Sequence, residues 1–166
     1  WETVRRARAA DRPTSLDYVE RMMADFVELR GDRASGDDPA VVAGVGLLGG
    51  KAVAVVALER GHDAAGDDRH GGRARAEGYR KAQRVMRLAA RLRMPVVSLI
   101  DTPGAYPGPE SEEGGLAGEL AASMALMSRL PTPTVAAVIG EGGSGGALAL
   151  AVTDRVLMQR GAIYSV

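Results

Sequence analysis

The chain has 166 residues, of which 46% are hydrophobic and only 4% aromatic. That length fits one domain, with a core of closely packed Ala, Val, Leu and Met. Lys and Arg number 21, as do Asp and Glu, so the zero net charge argues against a nucleic-acid or membrane-surface partner. The absence of cysteine excludes disulfides, thiolate metal sites and a Cys nucleophile. The longest apolar runs are too short for a bilayer span, and the Arg-rich N-terminus lacks the apolar stretch of a signal peptide. A cytoplasmic enzyme domain is the default expectation. The end at Tyr164-Ser165-Val166 reads as a strand or turn in mid-course, so residues 1–166 are expected to form one domain cut from a longer chain.

In chain order, Thr14 or Ser15 can cap a helix over Leu16–Arg30, with Leu16, Val19, Met22, Met23, Phe26 and Leu29 as its apolar stripe and Gly31 as its stop. Ala40–Leu48 and Lys51–Leu58 are apolar runs joined by Gly49-Gly50, a hairpin signal. Gly61–Glu77 is polar, carries both histidines, His62 and His70, and reads as a mobile loop. Gly78–Arg93 is helical, with Tyr79, Ala82, Val85, Met86, Ala89 and Leu92 on one face. Val96–Ile100 is a short buried strand, followed by a loop over Asp101–Gly115. Leu116–Arg129 is a helix with Leu116, Leu120, Met124 and Met127 inward, and Thr134–Ile139 is the next strand. A small-residue helix over Gly145–Ala151 and a strand over Arg155–Met158 complete the pattern. Alternating strands and helices imply right-handed crossovers and a parallel sheet.

Two turns stand out. Ile100-Asp101-Thr102-Pro103-Gly104-Ala105-Tyr106-Pro107-Gly108 and Ile139-Gly140-Glu141-Gly142-Gly143-Ser144-Gly145-Gly146-Ala147 each follow a strand and precede a helix-like segment. Turns of this kind expose backbone N–H groups at one sheet edge, which suits a phosphate or a developing oxyanion. The second turn supports several readings. Gly140, Gly142 and Gly145 match G-x-G-x-x-G, but the strand that follows ends in Met158-Gln159-Arg160 without the acidic residue of a dinucleotide site. Gly142-Gly143-Ser144-Gly145-Gly146 matches the nucleophile elbow G-x-S-x-G, but both histidines precede Ser144. The third reading is an oxyanion hole whose glycines keep side chains out of the ligand's way. The bland reading is that the glycines only allow close packing. Likewise, Asp101-Thr102-Pro103-Gly104 is ordinary turn chemistry, while Tyr106, a rare aromatic in a loop, suits either the core or the lining of a cleft.

The same residues, with Phe26–Arg33 and Glu77-Gly78-Tyr79-Arg80-Lys81-Ala82, resemble the carboxyltransferase alpha subunit of bacterial acetyl-CoA carboxylase, over nearly the whole chain from about Leu16. The resemblance implies an α/β crotonase-like (ClpP/crotonase) spiral of ββα units. It implies an acetyl-CoA carboxylase carboxyltransferase that moves a carboxyl group from carboxybiotin on a carrier protein to acetyl-CoA, giving malonyl-CoA for fatty acid synthesis. Biotin carboxyl carrier protein, biotin carboxylase and a carboxyltransferase beta subunit are the implied partners, with zinc on the beta subunit and no metal here. Carried over residue by residue, the oxyanion hole falls on Gly143, Gly145, Gly146 and Ala147, with Gly146 and Ala147 as the donors. Asp101, Pro103, Gly104, Ala105 and Tyr106 would line the biotin side of the cleft, and Tyr79, Arg80 and Lys81 would meet coenzyme A. Glu112-Glu113-Gly114-Gly115-Leu116 is closer to versions in which alpha and beta halves are fused or specialised. Two other readings stand beside this one: a serine hydrolase of similar fold using Ser144, and a non-catalytic assembly subunit.

Overall fold

In the computed structural model, residues 1–62 and 68–165 are described. One sheet runs through the molecule in the order β1-β2-β3-β4-β5-β6, with β7 also paired to β5. The antiparallel part comprises β1 (Met23–Glu28), β2 (Val41–Leu48) and β3 (Lys51–Leu58). The parallel part adds β4 (Val96–Thr102), β5 (Thr134–Gly143), β6 (Arg155–Met158) and β7 (Ile163–Ser165). The crossover helices are α3 (Ala76–Leu92), between β3 and β4, and α5 (Leu116–Met127), between β4 and β5. Three short helices lie at the chain start and in the turns: α1 (Glu2–Ala7), α4 (Pro109–Glu113) and α6 (Ser144–Leu148).

The Gly49-Gly50 hairpin forms as expected, with Leu48 opposite Lys51 and both glycines at positive φ, which a two-residue hairpin turn requires. Alternation along β2 and β3 then sorts the core. Val41, Ala43, Ala54 and Val56 meet Tyr79, Val85 and Met86 of α3, whereas Val42, Val55 and Ala57 meet Val19, Leu99 and Ile139.

The helix expected over residues 16–30 is cut in two. Helix α2 (Ser15–Met22) starts at Thr14 in a capping box with Asp17, and Met23–Glu28 becomes an edge strand on β2. The apolar spacing from Leu16 to Leu29 suits a helix locally, but the open edge of β2 offers a ladder of hydrogen bonds that outweighs that preference. Gly44 makes the pairing possible, because a Cβ there would lie 2.3 Å from the Val27 carbonyl and 2.7 Å from the Phe26 ring. Asp25 at φ 52° and a shift in register between Ala24 and Val27 mark a bulge. Leu92, expected on the buried face, is 60% exposed; Arg93 reverses the chain at φ 54° and Met94 takes the core position instead. The polar stretch 61–77, read as a mobile loop, falls partly outside the described residues, at 63–67. Its later part forms a short 3-10 turn at His70–Gly72 and buries Ala74.

Candidate active site

Because β4 and β5 are parallel, their carboxyl ends coincide: Thr102 sits beside Gly142. Both turns therefore leave the same sheet edge, where open α/β sheets place their ligands. The glycines of the second turn answer to different neighbours. A Cβ on Gly140 would lie 2.3 Å from the Arg12 guanidinium, on Gly142 2.6 Å from the Tyr164 ring, and on Gly143 2.3 Å from the Pro103 carbonyl. On Gly146 it would meet the Ala105 amide nitrogen at 2.5 Å and the Tyr79 hydroxyl at 2.9 Å. Gly145 is different: its nearest neighbour is the Leu120 side chain at an ordinary 3.5 Å. Gly143 and Gly146 thus seat the second turn on the backbone of Pro103, Gly104 and Ala105.

Helix α6 opens at Ser144 straight from the strand. In a helix the first N–H groups have no carbonyl four residues back. Among the described residues no side chain caps this helix start, and the N–H groups of Ser144, Gly145 and Gly146 donate to no turn or loop carbonyl. Ser144 is exposed and held at φ 52°, a conformation costly for any residue but glycine. That is the posture of a nucleophile at an elbow. Neither histidine is engaged with it: His62 lies 2.9 Å from the Ala10 carbonyl and 2.8 Å from Asp17, and His70 packs on Tyr106 with ring centroids 4.7 Å apart.

The first turn is tied internally. The Gly104 N–H donates to the Thr102 hydroxyl at 3.0 Å, and that hydroxyl donates to the Gly104 carbonyl at 2.7 Å. Tyr106 is half-buried, its amide donates to the Ala74 carbonyl, and the Arg75 guanidinium lies 4.8 Å from its ring centre. Pro103 and Ala105 are half-buried beside it, and Gly104 is buried.

Asp101 does not line a cleft as expected. It is fully buried, paired with Arg12 at 2.5 Å, and accepts the Glu141 N–H at 3.1 Å. Glu141 in turn holds Arg8 and Arg60, and Arg60 lies 3.6 Å from Asp101. Burial alone would raise the Glu141 pKa, but Arg8 and Arg60 outweigh it and hold the carboxyl below its usual range. These paired charges brace both strand ends from beneath and tie residues 8–12 to them. Sequence reasoning passed over Arg8, Arg12 and Arg60; the available signal was Glu141, an acid set inside a run of glycines.

Tyr79 and Lys81, expected to meet coenzyme A, are fully buried. The Tyr79 hydroxyl donates to the Gly146 carbonyl at 3.2 Å, and burial pushes its pKa far above the ordinary value, so it stays neutral. The Lys81 ammonium is spent on Asp37 at 2.5 Å and on the Asp38 carbonyl at 2.8 Å. Neither side chain offers a surface to a ligand, because the face of α3 that carries them packs on the sheet. Arg80 is partly exposed and pairs with Asp32 at 2.8 Å and Glu119 at 3.5 Å. Among the described residues no cluster of His, Asp and Glu could hold a metal ion, and no helix is long and apolar enough to cross a membrane.

Comparison with solved structures gives the same architecture. The chain superposes on transcarboxylase 12S with a TM-score of 0.80 at 20% identity, over 96% of this chain and 30% of that one. It superposes on the beta subunit of Pseudomonas aeruginosa geranyl-CoA carboxylase with a TM-score of 0.68 at 19% identity, over 85% of this chain and 25% of that one. The fold is thus the crotonase-like fold of the carboxyltransferases. In sequence, the chain is 55% identical to the acetyl-coenzyme A carboxylase carboxyl transferase subunits beta/alpha of Parafrankia sp. (strain EAN1pec), covering all of this chain and 27% of that protein. It is 51% identical to the carboxyl transferase subunit alpha of Thermus thermophilus, covering all of this chain and 53% of that protein. The chain therefore spans about half the length of the separate alpha subunits and under a third of the fused one. The family model described as acetyl co-enzyme A carboxylase carboxyltransferase-like matches residues 1–166, and the chain belongs to that family.

Proposed function

We propose that this chain is the alpha-type half of a carboxyltransferase that moves a carboxyl group from carboxybiotin on a carrier protein to acetyl-CoA, in complex with a beta-type partner. The observation that carries the reading is the helix start at Ser144, Gly145 and Gly146, whose N–H groups no side chain caps, backed by a first turn that the Thr102 hydroxyl holds still. Biotin supplies the transferable carboxyl group. The chain's part is to hold N–H donors at the ureido oxygen, where negative charge grows as that group leaves. Gly146 and Ala147 are the donors in this reading, with Gly143 and Gly145 completing the turn. Pro103, Gly104, Ala105 and Tyr106 form the facing wall. No side-chain base is required of this chain, in keeping with buried Tyr79 and Lys81 and with histidines engaged elsewhere. A carrier protein, a biotin carboxylase and a soluble cytoplasmic setting complete the proposal, and the 55% identity to fused beta/alpha proteins supports a beta partner.

The test is malonyl-CoA formation from acetyl-CoA and a carboxylated carrier, with and without a beta-type partner. Turnover only in the complex is expected; turnover by the chain alone, or none with the partner, defeats the proposal. The strained, exposed Ser144 favours one rival, a hydrolase. Ser144→Ala is expected to keep most of the carboxyl transfer, and a dead Ser144→Ala beside an active Gly146→Val would favour the rival.

A further inference from the structure

We infer that the groove between α3, the loop at residues 31–36 and α5 is a binding site for a small ligand carrying a diphosphate. The groove encloses about 610 Å³, within the range of ligand pockets. Five arginines line it against two carboxylates, Asp32 and Glu119. Arg80, Arg84, Arg87 and Arg91 follow one another along α3 at spacings of four, three and four residues, which puts them in a row about 16 Å long. Arg33 faces them from the loop, at φ 68°.

The charges do not cancel. Both carboxylates are met by Arg80. Asp32 is already saturated, accepting from the Ala34, Ser35 and Gly36 amides and from the Ser35 hydroxyl. Among the described residues Arg33, Arg84, Arg87 and Arg91 meet no carboxylate. Arg84 is spent on the carbonyls of Leu29, Arg30 and Gly31, which fix it without neutralising it. Arg87 gives one bond to Gln83, and Arg33 and Arg91 give none to other described residues. Like charges three and four residues apart on a helix repel, and this chain of zero net charge has no general excess of cations to place there. An anion in the groove relieves that repulsion.

The walls are built before any ligand arrives, so little ordering is lost on binding. Asp32 pins the loop, Arg84 pins its entry, and buried Gln83 bonds Glu119 and Ser123 of α5. Guanidinium forks match phosphate oxygens in pairs, and the row is longer than one phosphate can span. No aromatic residue lines the groove for base stacking, and a single short row lacks the extended charge of a nucleic-acid surface. A small phosphoanhydride is the ligand that fits, either a free nucleotide or the nucleotide end of a larger cofactor.

The experiment is calorimetric titration of the whole chain with inorganic pyrophosphate at low salt. Saturable one-to-one binding is expected, weakened by added salt and by about tenfold or more in Arg87→Glu/Arg91→Glu, with Arg91→Lys intermediate. Absence of saturation, or unchanged affinity in the double variant, overturns the inference. Arg33→Glu, on the opposite wall, gives the same reading should the helix variant fail to fold. ADP and coenzyme A serve as competitors: coenzyme A binding more tightly than ADP assigns the groove to a cofactor's nucleotide end, and equal binding assigns it to a free nucleotide. None of these readouts requires carboxyl transfer, so the groove can fail while the proposed reaction stands, and the reverse.

Discussion

The turn after β4 is held by side chains, and the turn after β5 by their absence. In the first, the Thr102 hydroxyl closes the backbone on itself and Asp101 anchors the strand end to Arg12 and to the Glu141 amide. In the second, Gly143 and Gly146 remove the atoms that would keep the chain off Pro103 and Ala105. The second turn is thus shaped by the first, and its N–H groups sit where the first turn's backbone allows. One turn can be broken by deleting atoms, the other by adding them.

The largest effect is expected from Asp101→Ala. It leaves Arg12 facing a buried site without its partner and removes the acceptor for the Glu141 amide. Breaking a buried pair from one side costs about 3–5 kcal/mol, read as a loss of unfolding free energy in urea. An unchanged urea midpoint would show that the brace is incidental.

Next comes the contrast between neighbouring glycines. Gly146→Val is expected to lower carboxyl transfer on the order of a hundredfold, the usual cost of losing one oxyanion donor, while the beta-type partner still binds. Gly145→Ala has room and is expected to fold normally, with a melting temperature equal to or above that of the parent, since Ala favours helix over Gly by about 1 kcal/mol. Equal damage from the two substitutions would mean that local flexibility, rather than contact with the first turn, is what the glycines provide.

Tyr79→Phe removes one buried hydrogen bond and is expected to cost about 1 kcal/mol, seen in thermal unfolding. Its larger signature is faster hydrogen exchange of the Gly145 and Gly146 amides, because the Gly146 carbonyl loses its fixed donor. A raised KM for acetyl-CoA with unchanged exchange would restore Tyr79 to the role of a substrate contact.

The smallest effect is on pH dependence. Burial alone would raise the Asp32 pKa, but the Ala34 amide, Arg80 and the Gly36 and Ser35 amides outweigh it and hold the carboxyl far below its usual range. A carboxyl depressed in the folded state contributes stability above its unfolded pKa and loses it as pH falls towards the folded one. Glu141 acts with the same sign. The contribution of these two carboxyls is therefore expected to be flat at neutral pH and to fall below the ordinary carboxylate range. Asp32→Asn is expected to make that acid slope shallower, as read by melting temperature against pH.

Local chemistry made much of the fold legible. A two-residue hairpin turn requires positive φ at both residues, which Gly49-Gly50 supplies between two apolar runs, so the β2–β3 register was readable from two letters. The parallel strands and α3 and α5 followed from apolar runs and helical spacing. The two turns could be named as partners because each follows a strand of the same sheet. The fate of Met23–Glu28 was not readable, because the same apolar spacing serves a helix alone and an edge strand beside β2. Nor was the brace beneath the turns: Arg8, Arg12 and Arg60 look like any surface cations until folding brings them against Asp101 and Glu141, between 41 and 133 residues away.

The sequence by itself determined where the chain must bend and where it must alternate, since those demands are met within a few residues. Tertiary structure decided which atoms of α3 face inward, burying Tyr79 and Lys81 and leaving a row of arginines outside. It also decided which glycine has a neighbour, separating Gly146 from Gly145. Such outcomes depend on distances between segments far apart in the chain, and side-chain identity along one segment carries no record of what another will bring against it.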